Sequence, residues 1–576
     1  RKAIAEFGYK GRYLGVYPIK VNQMREVVEE ILDAGRPYDH GLEAGSKAEL
    51  AAVLAMPTNP GALVICNGYK DYAFIKMALT GIKLGKRVFI VVEKLSELYQ
   101  IIQVARELQV VPLIGIRTKL YSKGSGKWES SGGESAKFGL TTPELLHAIH
   151  ILKTEGLQDC FKLLHFHIGS QITNIKTIKD AVKEGTRIYA KLRKMGLALE
   201  YMDVGGGLGV DYDGSRTSFE SSINYSLAEY VTDVVYSIQE VCNAEEVPEP
   251  TIVTESGRAL VAHHSVLVVN VFGNIEVGAT PTSLEETPDE DDVVKEMRYL
   301  SQNLSPKNLL EHFHDALQRK EEALSMFKLG FLSLEDKARV EHIFWQICKV
   351  IHKNSKSLRY VPDEVEVLGK NLADQYLCNF SLFQSMPDHW AIQHLFPIVP
   401  IHRHDEEPLH QATLADITCD SDGKVNKFID LRDIKDTLPL HSLKPNEPYH
   451  LGLFLMGAYQ DIMGDLHNLF GRVNEVHVFL DETEPGGYYI EEVIRGNTIA
   501  GVLSWIQYSA TDLAKKVKEA IDIKVREGAI KPREGVDLQN FYEEVLNGYT
   551  YVDFERQPPK ALHPTTPAIP ATNGSL

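Results

Sequence analysis

"YLGVYPIKVNQ", residues 13–23, is apolar for most of its length and then delivers a lysine, Lys20, just before a polar Asn-Gln pair. Tyr, Val and Ile suit a pleated strand, and Pro18, which cannot donate a ladder hydrogen bond, marks its end. Lys20 therefore belongs at the carboxyl end of a strand. Two roles are open to it there. The stem can pack while the ammonium reaches water, or a partly desolvated amine can lose its proton and attack a carbonyl as a Schiff-base lysine.

Between residues 13 and 269 similar runs recur: "ALVICNG", "RVFIVVE", "VVPLIGIR", "KLLHFHIGS", "LEYMDVGGG" and "TIVTESG". Continuous rather than alternating hydrophobicity is the mark of parallel strands covered on both faces. Segments of helical spacing separate them, so the order predicts a (β/α)8 barrel or a doubly wound sheet. Chemically unusual residues at the ends of so many strands favour the barrel.

At 576 residues the chain is longer than one barrel, and further domains are expected. An acidic linker is expected at residues 284–292, "LEETPDEDD". Two amphipathic helices should follow, one burying Leu310, Phe313, Leu317, Leu324 and Phe327, the other Val340, Ile343, Phe344, Ile347, Val350 and Ile351. Strand-like runs resume near residue 364, residues 508–546 read as helical, and the Pro/Thr-rich end is expected to be disordered. The predicted division is a barrel at 1–269, a linker and helical insertion at 270–363, a β domain at 364–505, a helical extension at 506–555 and a tail at 556–576.

Composition excludes several classes of function. A net charge of -18 argues against nucleic acid and suits a cationic substrate. No apolar run approaches membrane-spanning length. Six scattered cysteines without paired spacing fit a reduced, cytoplasmic chain, and an Arg at position 1 suggests a truncated or processed start.

Four further motifs sit at predicted strand ends. "DVGGGLG", residues 203–209, brings Gly205, Gly206 and Gly207 together, either as a tight turn or as a loop whose amides approach a phosphate. It lacks the third glycine of a dinucleotide fingerprint, and "GSGKWES" in the loop 124–135 lacks the Ser or Thr of a Walker motif. "HFHIGSQ" places His165 and His167 on one face of a strand, which raises metal-dependent hydrolysis or an imidazole stacked on a flat cofactor. "ESGR" offers Glu255 to a heterocyclic nitrogen and Arg258 to a phosphate, or simply forms an ion pair. "ITCDSDGK" sets Cys419 beside Asp420, as an inert thiol or a proton donor. A lysine, an imidazole, a glycine loop and a carboxylate with an arginine, all on one barrel, together specify pyridoxal 5'-phosphate.

The stretches "VYPIKVNQ", "GLEAGSKAEL", "VICNGYKD", "LLHFHIGSQ", "DVGGGLGVDYDG", "TESGRALVAHH", "NFSLFQSMPD", "DITCDSDG" and "MGAYQDIMGDLHNLFG" resemble those of biosynthetic arginine decarboxylases. These are large members of the alanine-racemase-like group that also holds ornithine and diaminopimelate decarboxylases. The resemblance implies a pyridoxal-phosphate-binding (β/α)8 barrel with a β domain, a helical insertion and a C-terminal helical extension. It also implies an amino-terminal segment that this sequence does not include. It makes Lys20 the cofactor's Schiff-base lysine, His167 the stacking imidazole and Glu255 the partner of the pyridine nitrogen. Ser170, Gly205, Gly206, Gly207, Arg258 and Tyr459 would hold the phosphate, with Glu43 near the cofactor. Cys419 and Asp420 would enter the site of the other subunit of a homodimer, or tetramer, with shared sites. Ser381, Asp420 and Asp461 are the candidates for substrate contact. A phosphate-region arginine of ornithine decarboxylases falls here on Gly133. The implied reaction is L-arginine to agmatine and carbon dioxide, opening a polyamine route. Mg2+ is a family expectation without a visible ligand set. The rivals are another basic amino-acid decarboxylase and a non-catalytic regulator on the same fold.

Overall fold

The computed structural model describes residues 1–122, 136–278, 287, 289–305, 308–355, 363–430 and 433–553. The loop 124–135, Gly133 and the tail 556–576 lie outside the described residues, as does part of the acidic linker.

Eight parallel strands close into a barrel: β1 Tyr13–Pro18, β2 Gly41–Ala44, β3 Leu63–Cys66, β4 Arg87–Val92, β5 Leu113–Arg117, β6 Phe161–His165, β7 Tyr201–Asp203 and β8 Thr251–Thr254. Closure pairs Tyr13 with Ile252 and Gly15 with Thr254. Seven of these strands match runs legible in the sequence. The eighth, β2 "GLEA", is short and carries an acid, so it gave no apolar run.

Successive side chains of a strand point to opposite faces. Val16, Leu63, Ile65, Phe89, Val91, Leu163, Tyr201 and Val253 form their own buried cluster within the barrel. The alternate residues, among them Tyr17, Val64, Ile90, Ile116 and Met202, join the larger core shared with the surrounding helices. The inward parity continues up each strand to Glu43, Arg117, His165, Asp203 and, just past β8, Glu255. The barrel's top layer is therefore charged where its lower layers are aliphatic and aromatic.

After the barrel the chain enters a second sheet through β9, Leu267–Ile275, leaves it for a helical insertion, and returns in β10, Asp374–Cys378. The expected boundaries at 269 and 364 shift accordingly. β9 belongs to the second sheet, and Asp363–Asn371 is a helix whose Val365 and Leu368 bury in the insertion's core. The remaining strands of this sheet are β11 Ile398–Pro400, β12 His410–Ala415 and β13 Lys424–Val425, with β16 Leu438–Leu440 on β12 and β17 Tyr449–Leu453 between β11 and β9. β14 Phe428–Ile429 with β15 Ile434–Lys435, and β18 Glu475–Leu480 with β19 Tyr488–Ile494, form separate ribbons. The C-terminal helices begin earlier than expected, at Ile499–Trp505.

One predicted helix face is displaced. In Leu309–Lys328 the buried residues are Leu309, Ala316 and Ala323, whereas Leu310, Leu317 and Leu324 are 37–42% exposed. Small alanines let the helix Leu334–Ser355 approach closely, and that neighbour, whose Val340, Ile343, Phe344, Ile347 and Ile351 are buried as expected, selects the face. Val350 is the exception on that helix and is exposed.

Candidate active site

Lys20 lies in a single 3-10 turn, Ile19–Val21, that follows β1 because Pro18 ends the ladder. Its Nζ donates to Glu43 Oε2, on the neighbouring strand β2, at 2.8 Å, with side-chain exposures of 46% and 0%. Burial pulls the ammonium down, but the carboxylates of Glu43 and Glu255 outweigh it and raise the amine above its ordinary value. Lys20 thus rests charged and half exposed, held by Glu43. The snorkelling alternative fits less well, because the amine is aimed at a buried carboxylate.

Glu255 follows β8 and is buried, and its Oε1 accepts from Asn67 Nδ2 at 2.8 Å. Burial, then the neighbouring Asp203, push its carboxyl up to about 8. Burial likewise raises Asp203 to about 7, against the Gly205 amide, which donates to its Oδ1 at 2.9 Å. Both groups favour the protonated form when folded, so the stability they confer is present near their ordinary values and is lost as pH rises toward 8. In the cofactor-free protein, Glu255→Gln should flatten that loss and add on the order of 1–3 kcal/mol at pH 8. Thermal melts of the two proteins across this interval check it, and a wild type whose melting point does not fall with pH would contradict it.

The strand carrying His165 stops there, so the expected sharing of one strand face by His165 and His167 is corrected: His167 stands in the loop beyond. Its Nδ1 accepts from Gly206 N at 3.2 Å, and burial lowers its pKa well below the ordinary value. The ring is neutral and flat, as stacking requires. Gly205 and Gly207 both have positive φ, 69° and 110°. A Cβ on Gly206 would lie 2.8 Å from the Glu255 carbonyl, so this loop admits only glycine against the cofactor end of β8.

Arg258 is buried in the helix Gly257–Val261 and donates to Ser170 Oγ at 3.2 Å and to Tyr212 Oη at 2.9 Å. Its guanidinium lies 5.0 Å from the Tyr459 ring centroid. Tyr459, at φ 71°, donates its amide to Val21 O at 2.8 Å, tying the second domain to the Lys20 turn. Arg258 thereby gathers Ser170 and Tyr459 beside the Lys20 turn.

Other candidates stand apart. Cys419 is exposed, and its amide donates to Asn468 Oδ1, while Asp420 Oδ1 accepts from Asp422 N. None of these contacts reaches the barrel mouth. Ser381 is fully buried, and its hydroxyl caps Gln384 N. Asp461 is paired with Arg472. Sequence reading missed Arg117, buried at the end of β5 with Nη1 3.4 Å from Glu93, and missed the buried partners Asn67 and Asp203. Arg117 was visible as a lone charge closing "LIGIR".

A lysine facing a carboxylate, a neutral imidazole on a glycine loop and a carboxyl across from an arginine cradle fit the amine, ring and phosphate of pyridoxal phosphate. Buried Oε1 of Glu43 and Oδ1 of Asn67, both without a hydrogen-bond partner, mark polar space at the same mouth. Residues 2–262 match the pyridoxal-dependent decarboxylase, pyridoxal binding domain. Residues 287–369 match the arginine decarboxylase helical bundle domain, and 499–551 the arginine decarboxylase C-terminal helical extension. A biosynthetic arginine decarboxylase of Bacteroides thetaiotaomicron is 49% identical over 96% of this chain and 88% of its own. The chain belongs to the biosynthetic arginine decarboxylase family.

Another member, from Deinococcus radiodurans, is 50% identical over 96% of this chain and 84% of its own. The crystal structure of the biosynthetic arginine decarboxylase from Campylobacter jejuni superposes with TM-score 0.83 at 34% identity, covering 96% and 88% of the two chains. Diaminopimelate decarboxylase from Helicobacter pylori shares the fold, with TM-score 0.56 at 17% identity over 88% and 94%. No helix among the described residues is long and apolar enough to cross a membrane.

Proposed function

We propose that this chain decarboxylates L-arginine to agmatine and carbon dioxide with pyridoxal phosphate, as the opening step of a polyamine route. The observation that carries the reading is Lys20, half exposed and charged, facing Glu43 and Glu255 at the mouth of a barrel whose family is that of the arginine enzymes. When bound, the cofactor supplies a ring that accepts the electron pair left as the carboxylate departs. Lys20 is the amine that would carry it between turnovers, oriented by Glu43. Glu255 holds a proton at the pyridine nitrogen, which favours electron acceptance. His167 fixes the ring plane, and Arg258, Ser170 and the amides of Gly205, Gly206 and Gly207 bind the phosphate. A water-poor floor favours loss of a charged carboxylate as a neutral gas.

Cys419 returns a proton to the substrate carbon from the partner subunit of a homodimer, with Asp420 as the carboxylate for the guanidinium, and the enzyme works in the cytoplasm. Asp461 is weaker in that role because Arg472 already occupies it. Mg2+ is assigned no site. Among the described residues the one close group of donors is His165, Asp203 and Glu255, and this reading gives Glu255 to the pyridine nitrogen instead.

Agmatine release from arginine, with lysine, ornithine and diaminopimelate as alternative substrates, tests the reading. Arginine should be preferred by at least about 10²-fold in kcat/KM, since a polar pocket discriminates strongly against a substrate that leaves its groups unpaired. Equal turnover of ornithine or lysine would reassign the substrate, and no turnover of any would favour a regulator.

A further inference from the structure

His165, Asp203 and Glu255 cap the inward faces of three neighbouring strands, and the register sets His165 directly against Asp203. All three are buried, with donor atoms within 4.8 Å of one another. His165 Nδ1 stands 3.0 Å from Asp203 Oδ2, yet neither atom has an aligned hydrogen-bond partner. The other Asp203 oxygen is committed to Gly205 N, and Glu255 Oε1 to Asn67. The reaction as derived uses only Glu255. Burying a second carboxylate and an imidazole behind it is costly unless their charges are matched to its own.

We propose that His165 is a positioning residue, acting through Asp203, that takes up a proton when Glu255 gives its own to the pyridine nitrogen. The inference rests on the pyridoxal phosphate reading above. The Glu255 O–H bond would break and a ring N–H bond form, which pairs the new Glu255 anion with the pyridinium and leaves the adjacent Asp203, whose carboxyl burial pushes up to about 7, without a cation wherever it is ionised. A proton from solvent then forms an N–H bond on the His165 imidazole and balances it, with no change in electron count.

With Glu255 protonated, the balance around His165 lies on the neutral side. Burial first, and Arg117 with it, hold the imidazole neutral, while Glu255, Glu93 and Glu43 pull it toward the charged form, with Asp203 in contact. Glu255 in turn faces Asp203, His165, Glu43 and Lys20. Ionising Glu255 removes a neutral neighbour of His165 and supplies an anion. That change tips the imidazole toward protonation.

Calorimetric titration of the full, cofactor-free chain with pyridoxal phosphate, in buffers of different ionisation heat at one near-neutral pH, counts protons taken up per site. The wild type should take up about one proton more than His165→Gln, and about one more than Asp203→Asn, in which the second anion is gone. A merely structural role would alter affinity or melting point and leave the count unchanged. Asp203→Asn keeps the test in force if His165→Gln misfolds. Equal proton counts in the wild type and either folded variant overturn the inference while the cofactor reading stands. Failure of the wild type to bind pyridoxal phosphate overturns that reading and this inference with it.

Discussion

Lys20→Ala lowers arginine decarboxylation by on the order of 10⁴-fold or more, the scale on which loss of a covalent-catalysis residue is felt. The chain still folds. Lys20 lies in a turn rather than in the ladder, and its side chain is 46% exposed, so truncation opens no cavity in the core. Its loss does leave the buried Glu43 without its cation, which costs stability without removing any apolar contact. Borohydride reduction followed by peptide mapping gives a second readout: the wild type should carry the cofactor on the peptide containing residue 20, and the variant should carry none. Near-normal agmatine release from a folded Lys20→Ala protein would sink the assignment.

Mixed dimers of Lys20→Ala and Cys419→Ala subunits should recover activity that neither parent has. Cys419 is exposed on the second domain, where its backbone amide donates to Asn468 Oδ1. If the thiol crosses a two-fold interface, one site of each mixed dimer carries both defects and the other is intact. Random reassortment makes half of all dimers mixed, so about a quarter of wild-type turnover returns. The measurement is agmatine production after the two inactive variants are dissociated and reassociated together. Verified mixed dimers as inactive as their parents would confine Cys419 to its own subunit or to no role.

The barrel was legible because burial on both faces leaves a strong mark: seven of its strands are continuous apolar runs, and each ends at a residue whose chemistry is out of place in a core. Lys20, His167, Glu255 and Arg258 could be read in this way, one strand end at a time. β2 escaped because four residues with a glutamate give neither a run nor a period, so Glu43 was named through the resemblance alone and its pairing with Lys20 was not read. In Leu309–Lys328 two apolar stripes exist side by side, and periodicity cannot rank them. The neighbouring helix chose the alanine face because it packs closer.

The sequence by itself determined which residues have chemistry to offer and that they stand at the carboxyl ends of barrel strands, since hydrophobic run length and strand-end polarity are local properties. Only the tertiary structure decided who faces whom. Glu43 meets Lys20 across a separation of 23 residues because β2 pairs alongside β1, and Asn67 meets Glu255 across 188 because closure of β8 onto β1 brings distant strand ends into one ring. The register of β6 on β7 sets Asp203 and His165, which the sequence did not link, into a buried pair beside Glu255. Their proton affinities are set by distance and desolvation, two quantities that exist only once the chain has folded.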